Sequence, residues 1–135
     1  MNRFLEDVKV FHKKYEVPML EVGQRELPPF PIMKYRVFFL VEELFELFKA
    51  SKEVDKAEVA DALVDVVWVA LGTALMAGID FDKHWNEVVR ANMEKELADS
   101  LEDTRASRYT PREIVKPEGW VPPDHNTILD ESGAR

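Results

Sequence analysis

The chain has no cysteine, which excludes disulfides, thiolate nucleophiles and cysteine-ligated zinc. Glycine is scarce, and none of the five sits in a glycine-rich phosphate loop; Gly72 and Gly78 fall inside and at the end of a helical pattern. Positive charge is the minority, with 18 Lys and Arg against 26 Asp and Glu. The net charge of −8 argues against a nucleic-acid polymer as partner, because such binding depends on Lys and Arg neutralising phosphates. An acidic protein can still take a phosphorylated small molecule through metal ions. The longest apolar run, Val66 to Ile79, is shorter than the roughly 20 residues that span a bilayer. The N-terminus, M-N-R-F-L-E-D-V-K-V, has acids where a secretory signal needs an apolar core. The expectation is a cytoplasmic protein with no membrane partner. His12, His84 and His125 are scattered, and none completes the Glu-x-x-His spacing of a di-iron bundle.

With 46% hydrophobic and 33% charged residues, the chain has the composition of a globular protein, and 135 residues fit a single domain, 1–135. Its periodicities predict an all-α fold: an antiparallel bundle of about four main helices over residues 4–98, with a long N-terminal loop and an irregular tail over 99–135. Leu5, Val8 and Phe11, extended by Phe4 and Tyr15, predict a first helix from Phe4 to Tyr15. Pro18, Gly23, Pro28, Pro29 and Pro31 predict a loop from Glu16 to Met33, a candidate to close over a ligand through Gln24, Arg25 and Phe30. A second helix is expected over Lys34–Lys52. Asp55 and Glu58 have the spacing of an N-cap and its capping-box partner for a third, which ends near Ala77 with Gly78 as a left-handed cap. A fourth, capped by Asp80 or Asp82, is expected to reach about Ala98 and to bury Trp85, Val88, Val89 and Met93. Thr110 to Glu113 reads as a short helical turn, the stretch from Lys116 as irregular, and no strand is expected.

The chemistry lies between Glu42 and Asp65. Glu42, Glu43 and Glu46 share an arc of roughly 100° on the second helix, and Glu58, Asp61 and Asp65 fall within about 60° of one another on the third. Acids at such spacing are usually a solvated face. Asp65 does not fit that reading, since it is the only charge between Ala62 and Ile79 and no cation in the run can compensate it. Two antiparallel helices with a short connection can turn both stripes toward each other, and an all-oxygen pocket suits Mg²⁺, or Mn²⁺. Further on, Asn92 and Lys95 are three apart and share a face with Trp85 and Val88, which a nucleotide could use. On spacing alone, a snorkelling lysine at a polar helix edge is the stronger reading.

The runs E-E-L-F-E, E-V-A-D-A-L-V-D-V-V-W-V-A-L-G-T-A-L-M-A-G-I-D and V-V-R-A-N-M-E-K together resemble the all-α nucleotide pyrophosphohydrolases of the MazG and phosphoribosyl-ATP pyrophosphohydrolase-like group. F-H-K-K-Y at 11–15 and K-P-E-G-W at 116–120 extend the resemblance over roughly residues 6–124. It implies Mg²⁺-dependent cleavage of a nucleoside triphosphate to the monophosphate and pyrophosphate, by a homodimer or homotetramer. It places metal ligands at Glu43 and Glu46, with Glu42 as a further ligand or the base that activates water, so that Glu42 and Glu46 are the catalytic candidates. The second ligand pair falls on Glu58 and Asp61 by spacing, or includes Asp65, the acid directly before V-V-W-V; Ala62 stands three residues before it. Asn92 and Lys95 match the family's N-x-x-K, which implies sugar and phosphate contacts beside Trp85. The alternatives are phosphoribosyl-ATP as substrate, or an acidic helical interaction module without catalysis.

Overall fold

A computed structural model describes residues 2–98 and 112–133. The elements run α1 (Arg3–Lys14), α2 (Phe30–Lys52), α3 (Lys56–Met76), α4 (Phe81–Met93), β1 (Glu96–Leu97), β2 (Ile114–Val115) and α5 (His125–Gly133). The all-α expectation holds, apart from the two-residue strands. The chain divides into two compact units, residues 1–82 with 129–135, and residues 83–128.

In the first unit α3 is the central helix, with α2 packed along one side and α1 on another. The core joins Leu5 and Val8 of α1 to Leu71 of α3, with Trp68, Leu75 and Phe81 against them. His12 completes the buried stripe of α1 where Phe11 was expected; Phe11 lies half out and meets Trp68 edge-on, ring centroids 5.3 Å apart. α2 starts four residues earlier than predicted. Pro31 lies in its first turn, where a missing amide hydrogen costs no helical bond, so the proline that looked like a breaker is part of the start.

Both ends of α3 follow the expected chemistry. Asp55 accepts from the Glu58 amide at 3.2 Å, and past the helix the Ile79 amide reaches Ala74 O at 3.0 Å around Gly78, whose φ is +65°. The connection from α2 needs only residues 53–55, with Val54 at φ +55°. The loop after α1 is tied down where it passes α3: the Leu20 amide donates to Met76 O at 3.3 Å, and a Cβ on Gly78 would stand 2.6 Å from Glu21 O. Arg25 pairs with Asp130 of α5, and Phe30 belongs to α2. By length and apolar composition α3 is also a helix that could cross a membrane, although it carries Glu58, Asp61 and Asp65.

The second unit departs further from the sequence expectations. α4 stops at Met93 and not near Ala98, because the residues after it pair with 113–115. Its fully buried side chain is Ala91; Trp85 and Met93 are exposed and Val88 is half-buried. The stretch read as an irregular tail contains α5, opened by Asp124, whose carboxylate accepts from the Thr127 amide at 3.0 Å and its hydroxyl at 2.7 Å. Thr110 and Pro111, expected to open a helical turn, lie outside the described residues.

Candidate metal centre between α2 and α3

Arg36 and the acids occupy successive levels of one seam. Glu43 follows Arg36 by seven residues on α2, and Asp65 precedes Thr73 by eight on α3, so each pair repeats on one helical face. Arg36 Nε donates to Thr73 Oγ1 at 3.0 Å and its Nη2 to Val69 O at 3.0 Å. Two turns on, ligand atoms of Glu43, Glu46 and Asp65 all lie within 4.8 Å of one another. Residue numbers rise along α2 as they fall along α3, the antiparallel arrangement that the two stripes needed.

The electrostatics are those of unneutralised acids. Desolvation first, then the charges of Glu46 and Asp65, a hydrogen bond with Glu46 and the charge of Glu42 push the Glu43 carboxyl above its usual range. Asp65 is raised by desolvation and then by Asp61 and Glu46. Glu43 Oε2 is buried and accepts no hydrogen bond, a lone pair turned away from water with nothing to bind. Three carboxylates, one with an orphaned buried oxygen, fit a hard divalent cation, which takes oxygen ligands and keeps several waters.

The other predicted acids stand outside this trio. Glu42 and Asp61 are exposed, close enough for their charges to be felt by Glu43 and Asp65 respectively. Glu58 is exposed, with its amide held by the Asp55 cap. In the second unit, Trp85 is 57% exposed in the second turn of α4 and Asn92 is exposed near its end. Lys95 is not on the helix with them. It lies two residues past Met93, where its amide donates to Asn92 O at 3.2 Å and its ammonium sits 5.4 Å from the centre of the Trp120 ring. The histidines that are scattered in sequence include one spatial pair, His84 and His125, with Nδ1 atoms 2.8 Å apart.

Sequence reasoning passed over Arg36, His12 and Gly72. His12 is 3% exposed with Nδ1 unpartnered, and burial, then the Arg36 charge, lowers its pKa. Both side chains approach α3 at Gly72, where an added Cβ would lie 2.8 Å from Arg36 Nη2 and 2.9 Å from His12 Nε2. The helical period running back from Glu43 to Arg36 and on from Asp65 to Thr73 was the available signal.

An all-α domain with an acidic interhelical seam is the class that fold and site define. Residues 27–92, from just before α2 to near the end of α4, match the family model for phosphoribosyl-ATP pyrophosphohydrolase. That stretch is thus similar to the family's domain, within the MazG-like all-α pyrophosphohydrolases, and the match supports a nucleotide pyrophosphohydrolase activity in general. No curated protein matches the chain.

Proposed function

We propose that the chain is a Mg²⁺-dependent nucleoside triphosphate pyrophosphohydrolase, converting a (d)NTP to the (d)NMP and pyrophosphate in control of the nucleotide pool. The observation that carries this is the trio Glu43, Glu46 and Asp65 within 4.8 Å, inside the matched stretch. These three would hold the ion, with Mn²⁺ as a possible substitute. A divalent cation bound there would neutralise phosphate charge and acidify a nearby water. In this proposal Glu42, next to Glu43 in the chain and exposed, would take the proton from the attacking water, with Glu46 as the second catalytic acid. Water adds to the α-phosphorus, the bond to the bridging oxygen breaks, and pyrophosphate leaves. Asp61 and Glu58 extend the acidic field on α3, while Trp85, Asn92 and Lys95 are the proposed nucleotide contacts.

The family model keeps phosphoribosyl-ATP as a second substrate reading. Pyrophosphate release from a panel of dNTPs, NTPs and phosphoribosyl-ATP, run with Mg²⁺, with Mn²⁺ and in EDTA, separates the two. Release from none of them, with folded protein, leaves the acidic interaction module.

A homodimer or homotetramer belongs to the same proposal. Tyr35, Phe38, Phe45 and Phe48 form a stripe on α2, each 55% to 69% exposed, and Leu63, Val64 and Val67 do the same on α3. Apolar surface of that extent marks an association face, and a second copy of the chain supplies a matching one. Sedimentation of the intact chain at micromolar concentration tests it; a monomer would remove this part of the proposal.

A further inference from the structure

Residues 113–115 run antiparallel to residues 96–98. Glu96 faces Val115, Leu97 faces Ile114, and the Ala98 amide donates to Glu113 O at 2.8 Å. The same register, continued by one residue, sets Lys95 opposite Lys116. Like charges directly opposite across an antiparallel pair are destabilising. Here both ammonium groups also sit on one ring: Lys95 Nζ is 5.4 Å and Lys116 Nζ 4.9 Å from the centre of Trp120. Two points that close to one centre are at most about 10 Å apart, comparable to the Debye length at about 0.1 M salt, so each ammonium feels the other at low ionic strength.

The ring is held in place. Trp120 Nε1 donates to Ala91 O at 2.7 Å in the last turn of α4, and a turn from Pro117 O to the Trp120 amide, 3.0 Å, with Gly119 at φ +77°, brings the indole back to Lys116. Neither lysine has an ion-pair partner among the described residues. Glu94 is taken by Arg90 at 2.8 Å, and Arg90 is also bound by Glu87 at 2.8 Å. In a chain of net charge −8, two ammonium groups without an ion-pair partner among the described residues are thus gathered around one fixed indole ring. An indole quadrupole offsets only part of their repulsion.

We infer that Lys95, Lys116 and Trp120 form an anion site for an oligophosphate. A multiply charged anion with several acceptor oxygens neutralises both ammonium groups at once and turns a destabilising pair into charge-assisted hydrogen bonds. The oligophosphate is either the tail of a nucleotide or free pyrophosphate. That choice rests on the proposed function; the site itself does not.

The test uses the full chain in EDTA, so that binding through a divalent ion is absent. Inorganic pyrophosphate and ATP are titrated separately by calorimetry, at low and high sodium chloride. Saturable binding that weakens with salt is expected, with K95Q and K116Q each losing about tenfold, the loss of one charge-assisted hydrogen bond, and K95Q/K116Q losing measurable binding. Thermal melts of K95Q/K116Q should match or exceed wild type, since a repulsive pair is removed. ATP binding tighter than pyrophosphate assigns the site to the nucleotide tail, and equal binding assigns it to pyrophosphate. Absence of binding to wild type, or equal binding to K95Q/K116Q, overturns the site, even if Mg²⁺-dependent hydrolysis is present. Binding without hydrolysis of any substrate in the panel overturns the proposed function and leaves the site.

Discussion

Asp65→Asn should make the metal-free protein more stable while removing its activity. Ligand atoms of Glu43, Glu46 and Asp65 lie within 4.8 Å, and at that separation two charges repel by about 3.5 kcal/mol at an effective dielectric of about 20 and by about 0.9 kcal/mol in bulk water. Glu46 is exposed, so the lower figure is the better guide. Relief of two such pairs contributes about 1–2 kcal/mol, or about 2–6 °C in Tm for a chain of this size. The sign follows from proton counting. The carboxyls of Glu43 and Asp65 are raised above their unfolded values, so between the two values the folded chain holds more protons than the unfolded one. Stability of the metal-free protein therefore falls as pH rises through that window. Millimolar Mg²⁺ should reverse it, since an ion at 100 times its Kd adds about 2.7 kcal/mol by mass action. Thermal melts at pH 7 in EDTA and in Mg²⁺ read both effects: wild type gains from Mg²⁺, and Asp65→Asn starts higher, gains less and releases no pyrophosphate. Should the substitution lower the melting temperature in EDTA while wild type ignores Mg²⁺, Asp65 is a structural acid and the metal centre falls.

Glu43→Gln and Glu46→Gln should each lower pyrophosphate release by about 100-fold with helical circular dichroism unchanged, since a ligand loses charge and keeps its shape; wild-type turnover in both would remove the ligand assignment. Gly72→Ala puts a methyl 2.8 Å from Arg36 Nη2 and should destabilise by about 1–3 kcal/mol in urea titrations, although alanine is the better helix former; a neutral result means Arg36 and His12 can move aside. Val54, 88% exposed at φ +55°, stands where an L side chain costs about 1–2 kcal/mol, so Val54→Gly should raise Tm by about 2–4 °C despite the entropy glycine adds to the unfolded chain. His12 has a lowered pKa, so the unfolded chain takes up its proton first: stability in saturating Mg²⁺ should fall as pH drops below about 6.5, and His12→Asn should flatten that slope in melts from pH 7.5 to 5.5.

The helices that positioned the acids were legible because local and long-range signals agreed there. Asp55 and Gly78 mark the ends of α3 by chemistry that acts over a few residues, and the structure places both in those roles, while Glu58 contributes its amide to the Asp55 cap and the Asp55 amide donates to Ala50 O at 3.0 Å. Asp65 was readable as an anomaly, a charge without a partner in an apolar run, which the α2–α3 seam then accounts for. The end of α4 carried no such signal. Glu94-Lys95-Glu96-Leu97-Ala98 are all good helix formers, and what stops the helix is pairing with residues 113–115, a contact set by distant chain. The opening of α5 was legible in Asp124 and Thr127 as a cap, and was masked by the run of prolines before it.

Single residues outside the acidic stripes set the spacing inside them. Antiparallel helices slide along each other with little change in apolar burial, so a stack of Leu and Val would not hold Asp65 opposite Glu43 and Glu46. Arg36 does hold that register, because its bonds to Thr73 Oγ1 and Val69 O are directional and a slip of one turn, about 5.4 Å, breaks both. The guanidinium reaches those acceptors only where α3 has no side chain in the way, at Gly72. A glycine inside a helix costs about 1 kcal/mol relative to alanine. That cost is offset by two hydrogen bonds to a charged donor, worth about 1.5–3 kcal/mol each. The glycine inside the most apolar helix is therefore what lets Arg36 fix the distance between carboxylates on two different helices.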